Sequence, residues 1–413
     1  MKVKNLKNRV LVFPNQGKLI VGSDLHGNRK DYLNLMEIFS READLGKETY
    51  LLWLGDLIHG PQQLEDNFDY TDESAFILEH FLRMKKRFPE QLFSLLGNHE
   101  HGHVGGPHTS KFCEDEVRAL ASKTREKYWS YLSMLRSFPL LALTTSGVAF
   151  THGAPSASVK SLQDVLDVSY SGHVDKEINE MYSVPVLDLL WMRGCSEETA
   201  KSFLQAVKYP DLENRLVVYG HDVVREGFER ESRHSLVLST SFGVEDRFKT
   251  YLEIDLSHSY KSTSDFKEGV ELKNLYDLRE EGDVSEFVRK AFDQRKFAAV
   301  IHNLRDIPDS PIKDRFLGGA YLGIREERDL EKAISHLESY LGYDCSSAET
   351  HLLLASAYEF KADEAEQAKV SRHYLERSIS HLKEADTYNP GYHLLAQEAK
   401  ERLRKKLKEV IKK

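Results

Sequence analysis

The apolar run Lys18–Val21 leads directly into Gly22-Ser23-Asp24-Leu25-His26-Gly27, and this pairing of a short apolar run with a polar cluster decides the fold class. It recurs within the first 260 residues after Tyr50–Leu54, Gln91–Leu96, Val148–Thr151 and Leu216–Tyr219. Such runs predict buried strands. Two more strands are predicted at Leu236–Ser239 and Thr250–Asp255, and the periodicity predicts helices at Asp31–Glu42, Glu73–Phe88, Glu114–Phe138 and Glu197–Val207. Alternating strands and helices indicate an α/β domain.

The whole chain has the composition of a globular protein. Its 413 residues are 40% hydrophobic and carry a net charge of −9, so a basic nucleic-acid-binding surface is not expected. We expect a cytoplasmic protein without membrane contact, because no apolar run is long enough to span a bilayer. Three cysteines, far apart in sequence, argue against a disulfide framework.

The composition changes after the last predicted strand and predicts a second domain. Serine and lysine residues follow Leu256, strand patterns end near Gly282, and short words repeat: Ile334-Ser335-His336-Leu337 returns as Ile379-Ser380-His381-Leu382. Repeated helix pairs resemble tetratricopeptide repeats. We therefore predict an α/β domain over residues 1–260, a linker over 261–283 and a TPR-like helical domain over 284–413.

The polar clusters carry the candidate chemistry. Asp, His and Asn side chains follow five strands, at the strand ends where open α/β sheets place their sites. Two divalent ions about 3.5–4 Å apart could share such ligands and neutralise a phosphoryl group. Oxygen and imidazole donors without thiolate suit Mn, Fe or Zn. From the residues alone, the expected substrate is a phosphate ester.

The ordered clusters resemble the calcineurin-like metallophosphoesterases, and within them the PPP branch of Ser/Thr protein phosphatases. The resemblance covers about Lys18 to Leu256 and implies a four-layer α/β/β/α sandwich. It also implies that Asp24 and His26 bind one metal, that Asp56 bridges, that Asn98, His152 and His221 bind the second metal, and that His99 donates a proton to the leaving oxygen. Arg193 occupies the place of a phosphate-binding arginine.

The second cluster departs from the family pattern Gly-Asp-x-x-Asp-Arg-Gly. This chain has Gly55-Asp56-Leu57-Ile58-His59-Gly60, which lacks the phosphate-clamping arginine and the aspartate that orients the proton donor. His59 is a candidate for part of that role, and Glu100 is a candidate for orienting His99. Val223, where nucleases of the superfamily have a second histidine, favours the phosphatase-like branch.

A different metal motif also occurs in the third cluster. His99-Glu100-His101-Gly102-His103 matches the zincin pattern, which requires a helix. Gly102, Gly105, Gly106 and Pro107 argue against a helix there, so a protease is not expected and His101, His103 and His108 are predicted to lie in a mobile loop. No motif for a nucleotide cofactor is present in the sequence.

The predicted reaction is phosphomonoester hydrolysis by a hydroxide held between two metals, with Arg193 and His59 stabilising the phosphoryl oxygens and His99 as general acid. The resemblance implies a phosphoprotein or phosphopeptide substrate and a protein partner for the TPR-like domain. Two alternatives remain open: a phosphatase of nucleotides or other small molecules, and a weakly active scaffold that acts through its repeats.

Overall fold

The structure is a computed structural model that describes residues 2–44, 46–63, 70–175, 184–241, 246–276, 286–305, 311–324, 329–345, 347–389 and 392–412. The chain divides into two compact units, Met1–Asp277 and Leu278–Lys413. No helix in the described ranges is long and apolar enough to cross a membrane. Each unit is described separately below.

The first unit is built on two sheets. The described residues form the strands β1 (Lys4–Leu6), β2 (Val10–Val12), β3 (Lys18–Gly22), β4 (Thr49–Trp53), β5 (Leu92–Ser94), β6 (Leu141–Leu143), β7 (Val148–Thr151), β8 (Leu216–Tyr219), β9 (Phe228–Arg230), β10 (Ser235–Leu238), β11 (Thr250–Asp255) and β12 (Leu272–Asn274). One sheet has the order β1-β2-β6-β7-β8-β10-β9, and the other has the order β12-β11-β3-β4-β5. All seven predicted strands are confirmed, three with the predicted ends and four with ends shifted by one or two residues.

Parallel pairing brings the predicted polar clusters to one edge of each sheet. Strands β3, β4 and β5 are mutually parallel, with Gly22 opposite Trp53 and Trp53 opposite Ser94. In the other sheet β7 and β8 are parallel, with Thr151 opposite Tyr219. Because neighbouring parallel strands end on the same side, the clusters after β3, β4 and β5 share one edge of their sheet, and those after β7 and β8 share one edge of the other.

The two sheets pack face to face through one apolar core. Val21, Leu52 and Ile254 from one sheet lie in the same buried cluster as Phe150 and Val218 from the other. Alternate side chains of each strand point to this shared face, which removes their apolar surface from water. The α/β/β/α sandwich is thus confirmed.

Helices flank the sheets of the first unit. They are α1 (Arg29–Asp44), α2 (Ser74–Arg87), α3 (Asn98–Val104), α4 (Glu116–Thr124), α5 (Tyr128–Leu135), α6 (Leu162–Leu166), α7 (Pro185–Trp191) and α8 (Glu197–Ala206). Helix α1 packs on β4, α2 on β5 and α8 on β8. The helix predicted over Glu114–Phe138 is interrupted at Arg125, whose φ of 49° is left-handed.

The predicted linker over 261–283 is wrong for its described part. Residues 261–276 belong to the first unit, where β12 pairs antiparallel with β11 through Leu272 opposite Leu252. Leu272 and Leu275 are buried, so this segment contributes to the core although five of its sixteen residues are serine or lysine. Residues 277–283 lie outside the described residues.

The second unit is helical throughout its described residues. Its helices are α9 (Glu286–Asp293), α10 (Phe297–Leu304), α11 (Pro311–Gly323), α12 (Leu330–Tyr343), α13 (Ala348–Glu364), α14 (Ala368–Tyr388) and α15 (His393–Lys412). Each packs mainly on its neighbours in sequence. The two copies of the repeated word lie on α12 and α14, where Ile334, Leu337, Ile379 and Leu382 are all buried.

Candidate active site

The strand-end side chains converge on the carboxylate of Asp56, which follows β4. His152 Nε2, His26 Nε2 and His99 Nε2 lie 3.4, 3.6 and 4.0 Å from Asp56 Oδ2. Two groups of possible metal ligands result: His26, Asp56 and His99, and Asp56, His152 and His221. All five side chains are buried, and Asp56 belongs to both groups.

The loops that carry these residues have an unusual backbone. Asp24, His26, Asp56, His59 and His221 all have φ between 46° and 68°, in the left-handed region that non-glycine residues rarely adopt. Close packing requires glycine beside them, since a Cβ on Gly97 would lie 2.2 Å from Asp56 Oδ1. Residues in such strained conformations cluster at functional sites.

Backbone carbonyls orient two of the imidazoles. His26 Nδ1 lies 3.1 Å from the carbonyl oxygen of His59, and His152 Nδ1 lies 2.9 Å from that of Leu54. Each Nδ1–H therefore donates to a backbone carbonyl oxygen, and each Nε2 faces Asp56. Asn98 Oδ1, at the start of α3, lies 2.9 Å from His152 Nε2.

This donor set fits bound cations. Carboxylate, amide and imidazole acceptors face each other in a buried space, and His221 Nε2 has no hydrogen-bond partner among the described residues. Although burial opposes it, the charge of Asp56 raises the pKa of His152 to about 9. The pKa of Asp56 itself lies well below its usual range, because His152 and His99 outweigh its burial. The site thus stabilises positive charge beside Asp56.

Asp24 stands slightly apart from the two ligand groups. Its Oδ1 and Oδ2 accept hydrogen bonds from the backbone N–H of His221 at 3.1 and 3.0 Å, and its Oδ2 also accepts one from Ser23 Oγ. Burial, together with the nearby charge of Asp56, raises its pKa to about 6. The carboxylate therefore ties the β3 loop to the β8 loop at the edge of the ligand groups.

Glu100 supports a backbone turn and is not the orienting partner of His99. Its carboxylate accepts hydrogen bonds from the N–H groups of Asp56 and Leu57, both at 2.8 Å, and of Gly97 at 3.0 Å. These bonds hold the loop that presents Asp56 against the start of α3. Burial and the charge of Asp56 raise the pKa of Glu100 to about 7.

The partner of His99 is Glu116, which the sequence analysis missed. His99 Nδ1 lies 2.7 Å from Glu116 Oε2, and Thr109 Oγ1 donates to the same oxygen. Although burial opposes it, His99 lowers the pKa of Glu116 to about 2. The pKa of His99 is raised, since Asp56 and Glu116 together outweigh its burial. These opposite shifts indicate an ion pair between the imidazolium of His99 and the carboxylate of Glu116.

The sequence comparisons agree with this geometry. The family model for calcineurin-like phosphoesterases matches residues 17–225, which is about half of the chain and includes both ligand groups. The chain belongs to the calcineurin-like phosphoesterase family.

Two Caenorhabditis elegans relatives of this phosphoesterase carry the name serine/threonine-protein phosphatase. The first is 29% identical over 224 residues, and the second is 22% identical over 230 residues. Each alignment covers 52% of this chain, and the chain spans about half the length of the relatives it matches.

A solved structure, a protein serine/threonine phosphatase from Saccharomyces cerevisiae with similarity to human phosphatase PP5, has a TM-score of 0.42 and 16% identity. That match covers 58% of this phosphoesterase and 73% of the yeast chain. At this TM-score the likeness carries no weight of its own.

The third cluster of the phosphoesterase forms a helix, contrary to our prediction. Helix α3 begins at Asn98 and ends at Val104, and the next residue, Gly105, terminates it with a φ of 120°. Position 102 favours glycine, because a Cβ there would lie only 3.1 Å from the carbonyl oxygen of Pro107. The carboxylate of Asp56 accepts the N–H of His99 at 3.1 Å, which stabilises the helix start.

The histidines after His99 are packed, so the predicted mobile loop is wrong for His101 and His103. His101 Nε2 donates to the carbonyl oxygen of Tyr170 at 2.8 Å. His103 Nε2 lies 2.7 Å from His59 Nε2, and His103 Nδ1 lies 2.8 Å from Tyr128 Oη. His59 is thus stacked behind the ligand groups on His103, and burial lowers its pKa to about 3. His108 is more open and contacts Asp115 at 3.1 Å.

Arg193, the predicted phosphate-binding residue, lies at the mouth of the site. Its Nη1 donates to the carbonyl oxygen of His221 at 3.0 Å and to Asp222 Oδ1 at 2.6 Å, while its side chain is 57% exposed. The guanidinium is therefore held next to one ligand group and remains accessible from solvent.

Proposed function

We propose that this chain is a metal-dependent phosphomonoesterase, acting on phosphoserine and phosphothreonine in proteins. The observation that carries the proposal is the pair of ligand groups sharing Asp56, one of which includes His99 in contact with Glu116. The names of the related worm phosphatases support the substrate class.

Two divalent or trivalent cations, Mn, Fe or Zn, would be held by Asp24, His26 and Asp56 on one side and by Asp56, Asn98, His152 and His221 on the other. When bound, they would activate water and neutralise phosphoryl charge. The backbone carbonyls of His59 and Leu54 would keep His26 and His152 in the tautomer that leaves Nε2 free for a ligand bond.

His99 serves as general acid in this proposal. Glu116 holds Nδ1–H, so Nε2 carries the proton on the side of Asp56, where the leaving oxygen would lie. Proton donation matters most when the leaving group is an alkoxide, as in phosphoserine. Arg193 would contact the phosphoryl oxygens from the rim. His59 acts behind His99 and not on the phosphoryl group, since it packs against His103.

Reconstitution of the full chain tests the proposal. Metal-depleted protein would be loaded with Mn, Fe or Zn and assayed on p-nitrophenyl phosphate, phosphoserine and phosphothreonine peptides, nucleotides and dinucleotide polyphosphates. We expect metal-dependent turnover with the highest kcat/KM on the phosphopeptides. Preference for nucleotides would contradict the protein substrate, and metal binding without turnover on any ester would indicate the scaffold.

The helical unit is proposed to bind a protein partner or the phosphoprotein substrate in the manner of TPR stacks. A chain ending at residue 282, verified as folded by circular dichroism, should keep its activity on p-nitrophenyl phosphate. Its activity on a phosphoprotein substrate should fall, because tethering is lost. A folded truncation with bound metals but no activity on the small substrate would contradict this division of roles.

A further inference from the structure

The five polar clusters lack a lysine or arginine side chain that could bind the phosphoryl oxygens of the substrate. A phosphomonoester carries two negative charges, and enzymes that act on it usually place cations on its oxygens. The second cluster, Gly55 to Gly60, contains no arginine or lysine. Arg193 supplies one cation on the side of His221.

Lys111 lies near the ligand groups on the segment between α3 and α4. The segment is fixed by Glu116, whose Oε1 accepts the N–H of Phe112 at 3.0 Å while Oε2 accepts Thr109 Oγ1. The Phe112 ring contacts the His26 ring edge-on, with centroids 5.8 Å apart. Lys111 Nζ lies 4.9 Å from the centre of the same ring, so the Phe112 ring contacts both the ammonium and the candidate ligand His26.

Charges at the site act on this ammonium from several sides. Although Lys111 is exposed at the protein surface, desolvation by the surrounding protein atoms lowers its pKa, the carboxylates of Asp56 and Asp24 oppose that effect, and the positive charge of Arg193 adds to it. Lys111 and Arg193 are thus two cations that affect each other, and a negatively charged phosphoryl group is favourable near such a pair.

We propose that Lys111 binds the phosphoryl group of the substrate and supplies, from outside the recognised clusters, a cation that the second cluster lacks. This inference rests on the proposed function. Lysine acts on phosphate as a mobile point charge, whereas arginine forms a bidentate fork. Lys111, on the α3–α4 segment, and Arg193, on the loop after α7, would therefore both contact the phosphoryl oxygens.

The test uses the full metal-loaded chain and the variants Lys111→Met, Lys111→Arg and Lys111→Glu, with Lys208→Met as a control at an exposed site after α8. Readouts are kcat/KM on p-nitrophenyl phosphate, the inhibition constant of orthophosphate, and metal content. Losing a charged hydrogen bond of about 1.5–3 kcal/mol corresponds to roughly 10- to 150-fold. We expect Lys111→Met to lose kcat/KM and orthophosphate inhibition by about that factor, with unchanged metals.

Lys111→Arg should retain most of both quantities, Lys111→Glu should be worse than Lys111→Met, and Lys208→Met should match the parent. Unchanged orthophosphate inhibition in Lys111→Met would overturn the inference, and so would a loss of metal in that variant. Calorimetric titration with orthophosphate distinguishes failure of this inference from failure of the proposed function. If the parent chain hydrolyses no ester but binds orthophosphate through Lys111, the proposed function fails and this inference stands.

Discussion

Histidines of the two units have opposite surroundings. In the first unit, His26, His99 and His152 face the carboxylate of Asp56, and burial is combined with opposite charge. In the helical unit, His381 is stacked on Tyr358 with centroids 5.6 Å apart, and its Nδ1 lies 2.9 Å from His351 Nδ1. His99 and His152 have raised pKa values beside Asp56, whereas the pKa of His381 is lowered.

The difference teaches that the number of histidines in a chain says little until their partners are known. Where a carboxylate is adjacent, the imidazole can hold a proton or a cation. Where aromatic rings and a second imidazole surround it, protonation is unfavourable and the ring acts as a packing element. Each of the following predictions tests one side of this contrast.

The largest effect is expected for Asp56→Asn. The change removes the charge shared by both ligand groups, so both metals should be lost together and turnover should fall on the order of 10³-fold or more. Metal analysis and p-nitrophenyl phosphate assays provide the measurement. His152→Ala is the matched comparison and should chiefly lower one metal. Two full metals with normal turnover in Asp56→Asn would refute the site assignment.

His99→Ala should slow phosphoserine peptides about 10²- to 10⁴-fold, the range of general acid catalysis, and p-nitrophenyl phosphate much less. The nitrophenolate leaves without a proton, whereas the serine alkoxide does not. The ratio of the two kcat/KM values is the measurement. An equal loss on both substrates would assign His99 to binding or structure.

Glu116→Gln should reduce kcat about 10- to 100-fold, as expected when the partner of a key imidazole is changed. Glu116 raises the pKa of His99, so its neutralisation should lower that pKa. Because a general acid works only below its pKa, the alkaline limb of the pH–rate profile should move to lower pH. Glu100→Gln is the control and should affect metal content or stability without moving that limb. Identical pH profiles in Glu116→Gln and the parent would contradict the pairing.

The smallest effect is expected in the helical unit and concerns stability. Burial next to His351 lowers the pKa of His381 to about 4, against about 6.5 in an unfolded chain. Between these values the unfolded state binds the extra proton, so stability is lost as the pH falls through this window. From pH 7 to pH 5 we expect a loss on the order of 1–2 kcal/mol that His381→Phe removes.

The matched control is His336→Phe, which changes the equivalent residue of the repeated word. His336 contacts Asp314 at 2.6 Å and stacks on Tyr321, so it differs from His381 in having a carboxylate partner. Thermal unfolding of the full chain at pH 7 and pH 5 gives the comparison. If His381→Phe loses as much stability as the parent on acidification, the histidine pair is not the acid-sensitive element.

The sequence predicted the strand ends well because each cluster follows a buried apolar run. It did not predict β1, β2, β6, β9 and β12, which are three-residue strands too short to show a periodicity. The helix at Asn98–Val104 was missed because Gly102 within it, and Gly105 and Gly106 after it, resemble helix breakers, whereas packing and the Asp56 carboxylate stabilise it.

Glu116 and Lys111 could not be predicted for a different reason. Both act through contacts made across space by the α3–α4 segment, and the spacing of 17 residues between His99 and Glu116 matches no motif. Strand register places the ligands, but it says nothing about a segment whose position is set by a single carboxylate. The metal ligands can therefore be predicted from the strand ends, whereas the residues that hold a proton or a phosphate can lie on other segments that fold over the site.

The amount of folded protein in a cell should depend on the left-handed backbone at Asp24, His26, Asp56, His59 and His221. Each such conformation costs on the order of 1–3 kcal/mol, and glycine would relieve it only by deleting a functional side chain. Cations bound by these loops would offset the strain, adding about 2.7 kcal/mol of stability at a concentration 100 times their Kd. Metal starvation would therefore lower the amount of folded protein as well as its turnover, because unfolded chains are removed by proteases.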